Sequence, residues 1–127
     1  MSSFKPPAHP AVSPYLLVTD AQRMLGFLSA TFGAVELFKV PRPDGSVQHA
    51  EVRIDDSIIM MGERPNDDGH MRCSTHVYVP DVDACYARAL AAGAASVAEP
   101  RDQSYGNRSA GITDVEGNLW WIGTHLS

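Results

Sequence analysis

"HVYVPDVDACYARALAAGAA", residues 76–95, changes its hydrophobic period partway along. His76 to Val79 alternate in the manner of a strand, whose successive side chains take opposite faces. Asp81 then stands where a helix N-cap belongs. Val82, Cys85, Tyr86, Ala89 and Leu90 come next at helical spacing and give one apolar stripe. Gly93 supplies the left-handed residue that ends the helix. The same order of signals occurs in "YLLVTDAQRMLGFLSATFGA", residues 15–34. There Asp20 is the cap, Met24, Phe27, Leu28, Thr31 and Phe32 form the stripe, and Gly33 is the stop. The two capping aspartates lie about half the chain apart, so the sequence reads as a duplication.

The segments after each helix repeat as well. "AVELFKVP", "SVQHAEVRID" and "SIIMMGE" are strands separated by the turns "PRPDGS" and "DDS". "SVAEP", "RSAGITD" and "LWWIGTH" are their counterparts, separated by a polar loop and by "VEGN". The prediction is an α+β fold of two βαβββ modules, residues 12–63 and 73–125, whose mixed sheets curl around a cleft. "RPNDDGHMR" is the polar link between them, and residues 1–11 form an extended, proline-rich arm. With 127 residues the chain is read as a single domain (residues 1–127), long enough for a core without staples.

Strand parity separates two faces in each module. Thr75, Val77 and Val79 suit a helix-covered face, while Ser74, His76 and Tyr78 take the other. Ala50, Val52 and Ile54 are likewise smooth, and His49, Glu51 and Arg53 are polar. Antiparallel sheets accept such alternation. A curled face bearing His, Glu, Tyr and Trp makes a concave pocket with convergent polar groups.

Composition narrows the partners. Hydrophobic residues are 44% and charged residues 20%, ordinary for a globular protein. The net charge of −5 and the lack of any Lys/Arg cluster argue against nucleic acid and against anionic membrane surfaces. No apolar run approaches the ~20 residues of a bilayer span. "MSSFKPPAHPAVSP" has no apolar core and is not read as a signal peptide. Cys73 and Cys85 form no ligand-like cluster and read as reduced thiols of a cytoplasmic protein.

The duplicated unit, with "DVDACYARALAAGA" and a final D-x-x-G-N-x-W-W, resembles the glyoxalase / bleomycin-resistance / extradiol-dioxygenase superfamily, the vicinal oxygen chelate fold. "HAEVRIDDSIIMMGE" and "DQSYGNRSAGITDVEGNLWWIGTH" are most similar to its PhnB-like branch. The resemblance covers the chain from about Val12. It implies the fold strongly and the reaction weakly, because one fold hosts many chemistries. In metal-dependent members four ligands from the first and last strands of each module line the cup. Those positions fall here on Ser13, Met60, Ser74 and Trp121, none of them a His, Asp, Glu or Cys. The resemblance therefore implies a cup without the usual metal site and with no cofactor. It also implies a homodimer, since two-module members often build each cup from two chains.

Trp120 and Trp121 adjoin on the last strand and must face opposite ways. Trp120 is expected under the second helix and Trp121 in the cup, where relatives present a carboxylate. An indole has one N–H donor and no acceptor, so it cannot replace that ligand. It can wall a pocket for an aromatic or apolar small molecule, and full burial would contribute at most about 4–6 kcal/mol. Tyr78 is either a second aromatic wall or a half-buried strand tyrosine. His76 and Glu51 are the candidate acid–base residues. His49, Glu51 and His76 are either cup-lining polar partners or, in the alternative, an unorthodox divalent-metal site. Arg108, with Tyr105 in the same loop region, either clamps a carboxylate or phosphate at the mouth or pairs with a nearby aspartate. His9, His70 and His125 are given no role, and Met60 and Met61 read as filler. The sequence has no phosphate loop, nucleophile elbow or triad. The expected function is binding of a small organic ligand. The alternatives are a metal-dependent isomerase, lyase or dioxygenase with non-standard ligands, and a drug-sequestering resistance protein.

Overall fold

A computed structural model describes residues 4–64 and 71–127; His70 and most of the polar link lie outside the described residues. The first module runs β1 (Tyr15–Val18), α1 (Ala21–Phe32), β2 (Val35–Pro41), β3 (Val47–Ile54) and β4 (Ser57–Glu63). The second runs β5 (Ser74–Tyr78), α2 (Val82–Ala91), β6 (Ala95–Asp102), β7 (Asn107–Thr113) and β8 (Leu119–His125). Each module folds into a four-stranded sheet, ordered β1-β4-β3-β2 and β5-β8-β7-β6. The first strand pairs parallel with the last, and the other pairs are antiparallel. A parallel pair needs a long crossover, which the helix supplies.

The caps stand where the sequence puts them. Asp20 accepts from the Arg23 amide at 3.0 Å, and Asp81 accepts from the Ala84 amide at 3.2 Å. Gly33 ends α1 with φ 68°, and Gly93, one residue past the α2 cap, has φ 109°. The α1 stripe is buried at Met24, Phe27, Leu28 and Thr31. The α2 stripe is narrower: Val82, Cys85 and Ala89 are buried, but Leu90 is exposed, contrary to its place in the pattern. β6 is longer than "SVAEP" suggests and carries Pro100 inside it. This is tolerated because β6 is an edge strand with a register shift between Ala98 and Arg101.

One core runs through both helices and the helix-covered faces of both sheets. At its centre the Thr31 carbonyl accepts from Arg88 Nε at 3.1 Å and faces the Cys85 thiol at 3.5 Å. Trp120 is buried as expected, but its ring also lies against Phe32, the last residue of α1, at 5.1 Å. The helix-covered faces are thus spent on holding the modules together. The opposite faces are left open. Among the described residues, no helix is long and apolar enough to cross a membrane.

Candidate functional site

The open face of the second sheet is set by register. His76 pairs with Trp121 and Tyr78 with Gly123 across β5 and β8, and Trp121 pairs with Gly111 across β7 and β8. Trp121 therefore shares a face with His76, while its neighbours Trp120 and Ile122 are buried on the other. Trp121 retains 37% of its surface and lies flat across Gly111: a Cβ there would come within 2.6 Å of indole Cζ3. Gly123 gives His76 the same clearance, with a built Cβ 3.0 Å from Nε2. Two glycines inside strands thus make a floor on which two rings lie down, a close approach that any side chain would block.

Above this floor is a cavity of about 490 Å³ walled by His76, Trp121, Arg101, Gln103, Tyr105 and Ser109 among others. The arginine at this wall is Arg101, opposite Ser109 on β7. Arg108 is elsewhere. One residue along β7, it takes the helix-covered side and forms a bidentate pair with Asp83 of α2 at 2.8 and 2.9 Å, plus a bond to Asp102 at 3.1 Å. These hydrogen bonds raise its pKa above the already high guanidinium value. The surface pairing is thus what forms, and the clamp at the cup mouth is corrected.

Tyr78 is 61% exposed and packs edge-on against His76, centroids 4.6 Å apart. Its hydroxyl accepts from Asn107 Nδ2 at 3.2 Å. It borders a different hollow, about 440 Å³, between β5 and the β3–β4 turn of the first module. Tyr78 and Trp121 therefore wall separate hollows, with His76 bordering both. Tyr105 stands exposed at the rim of the Trp121 cavity.

The first sheet carries the other polar group. Glu51 is only 5% exposed. Its Oε2 accepts from His49 Nε2 at 2.8 Å, and its Oε1 accepts from His9 Nε2 at 2.7 Å. His9 arrives from the arm, given no role by its sequence context. His49 Nδ1 is within 3.3 Å of the Tyr15 hydroxyl, so both of its ring nitrogens have a partner. His9 differs: its Nδ1 faces the Pro7 carbonyl at 3.0 Å, so both ring nitrogens point at acceptors, an arrangement that favours the protonated ring.

The electrostatics agree. The Glu51 hydrogen bond, then the Pro7 carbonyl, raises the His9 pKa above its ordinary 6.5. Burial alone would push Glu51 up, but hydrogen bonds from His49 and His9 outweigh it and leave its pKa below the ordinary 4.5. Arg53, on the same face of β3, opposes the His9 shift. A raised cationic pKa stabilises the folded state below the unfolded value and loses that contribution as pH rises through the folded one. A lowered carboxylate pKa does the reverse on the acid side. The His9–Glu51 contact should be strongest between pH 4.5 and 6.5 and loosen on going alkaline past the raised His9 pKa. The expected readout is faster proteolysis of the arm with rising pH, absent in His9→Ala, alongside an upshifted His9 titration by NMR.

The proposed trio of His49, Glu51 and His76 does not assemble. Both Glu51 oxygens are taken by His49 and His9, while His76 sits on the second sheet against Tyr78. Among the described residues no three His, Cys, Asp or Glu side chains are placed to hold a metal ion. The family positions, Ser13, Met60, Ser74 and Trp121, offer two hydroxyls, a thioether and an indole, which do not fit a divalent cation.

Known proteins share this architecture. The family model for the Glyoxalase/Bleomycin resistance protein/Dioxygenase superfamily matches residues 8–122, and the chain belongs to that superfamily. An uncharacterised protein of Mycobacterium bovis is 38% identical across 90% of this chain and 82% of its own length. TioX from Micromonospora sp. ML1 is 30% identical, with a TM-score of 0.76 over 91% of this chain and 100% of that one. The fosfomycin resistance protein FosX of Listeria monocytogenes, 20% identical with a TM-score of 0.70 over 91% of this chain and 92% of its own, shares the fold.

Proposed function

We propose that the protein binds a flat organic molecule on the second sheet, stacked on Trp121, without a metal. The observation that carries this is the indole laid over Gly111, with a cavity of about 490 Å³ above it. Arg101 and Gln103 at the wall supply a cation and an amide, so an aromatic ligand with an acidic group fits best. His76 borders the cavity and is positioned to hydrogen-bond the ligand. We read the protein as a binder rather than a metal enzyme, because the donors at the family's ligand positions are unsuitable. A second copy of the chain is its expected partner, because two-module members of the superfamily often build each cup from two chains. Two unpaired cysteines suit a reducing cytoplasm.

Anilinonaphthalene sulfonate, a flat aromatic anion, is a suitable probe. The wild type should bind it saturably and quench tryptophan emission. Trp121→Ala should weaken binding by about tenfold or more, corresponding to about 1.5–3 kcal/mol of lost aromatic contact. Binding of equal strength in Trp121→Ala would overturn the reading.

A further inference from the structure

The His9–Glu51 contact goes beyond this reading and lies on the other sheet. Pro6 to His9 form a reverse turn, with the His9 amide donating to the Pro6 carbonyl at 3.3 Å and Ala8 at φ 61°. The turn is tied to itself, and from it the His9 ring reaches Glu51 on the sheet. Glu51 belongs to the middle of the open face. Met60 is opposite it on β4 and Phe38 on β2. His49, 5.6 Å from the Tyr15 ring and 5.8 Å from the Phe38 ring, stands beside it.

A carboxylate so placed is costly unless partnered. Half of its partnership is built into the sheet: His49, set by Tyr15, holds Oε2. The other half comes from a segment outside every helix and strand. Such segments open locally at small cost. When the arm lifts, Oε1 becomes a free acceptor on the open face, between Met60 and Phe38 and beside His49, while Oε2 and His49 stay fixed.

We propose that this face is a recognition site for a flat cationic N–H donor of the imidazolium, amidinium or guanidinium class, and that the His9 ring is its internal occupant. The donor lies in the place of the His9 ring and gives one N–H to Glu51 Oε1. Arg53 on the same face disfavours multiply charged ligands. The arm competes with the ligand, so an incoming molecule binds only by displacing it.

The test is calorimetric titration of the full chain with imidazolium chloride, and separately methylguanidinium chloride, at constant ionic strength and mildly acidic pH. His9→Ala should bind one equivalent of imidazolium. The wild type should bind about tenfold more weakly, as for a site whose open state is one part in ten populated. Glu51→Gln in the His9→Ala background should abolish binding. Binding to His9→Ala no tighter than to the wild type, or unaffected by Glu51→Gln, would overturn the proposal. Should Glu51→Gln fail to fold, the Glu51 carboxylate carbon shift in His9→Ala replaces it: movement on titration supports the site, and none overturns it. The titration involves no ligand of Trp121, so its failure leaves the reading of the second sheet standing.

Discussion

Asp114→Ala should lower the unfolding free energy by about 3–5 kcal/mol, the range for stranding several buried donors at once. Asp114 is buried in the β7–β8 turn. Its Oδ1 accepts from the amides of Glu116 at 2.8 Å and Asn118 at 3.0 Å, and its Oδ2 accepts from Trp120 Nε1 at 2.8 Å. It also holds Asn118 Nδ2 at 3.1 Å, leaving Asn118 Oδ1 to accept from the Cys73 amide at 2.9 Å. The turn so fixed presents Glu116 to the other module. There the Glu116 carboxylate accepts from the Thr19 and Asp20 amides, both at 3.0 Å, just before α1. One side chain thus sets a turn, the buried Trp120 indole and the seam between modules. The measurement is urea unfolding: the midpoint should fall with the slope unchanged if cooperativity persists. Asp102→Ala, which removes one exposed partner of Arg108, should shift stability by less than about 1 kcal/mol.

That turn shows what a sequence can and cannot disclose. The D-x-x-G-N-x-W-W run marks the fold, yet its Asn acts on Cys73, its first Trp packs on Phe32, and Glu116 within it acts on Thr19 and Asp20, all distant in the chain. Periodicity is local, so the helices, their caps and the parity of β3, β5 and β8 were legible, and with them the opposite fates of Trp120 and Trp121. The site was legible only in part. Arg101 escaped notice because two register shifts in β6 break its alternation, and "PRD" reads as a loop. Arg108, on a strand without breaks, follows the parity of Ala110 and Ile112 onto the helix-covered side. His9 contacts Glu51 across 42 positions, and no spacing rule reaches that far. Gly111 and Gly123 did carry a signal: glycine inside a strand marks close approach by another group.

Gly111→Val turns that signal into the most selective expected loss of ligand binding. Gly111 is in ordinary strand conformation, so the backbone accepts a β-branched residue. The obstacle is the indole: the added Cβ alone would meet Trp121 Cζ3 at 2.6 Å and Cε3 at 2.9 Å. Trp121 is partly exposed and can swing outward, which limits the overpacking cost to about 1–3 kcal/mol. The swing takes it into the cavity that the ligand needs, and the valine raises the floor. Loss of anilinonaphthalene sulfonate binding should reach about a hundredfold, near 3 kcal/mol, with far-UV circular dichroism unchanged. Gly26→Ala is the matched control. Gly26 is in α1, and beyond its own helix backbone nothing comes within 4 Å of its would-be Cβ, so alanine there should stabilise by about 0.5–1 kcal/mol and leave binding alone. A Gly111→Val protein that binds the probe as the wild type does would show that the indole and its floor are not the seat of the ligand.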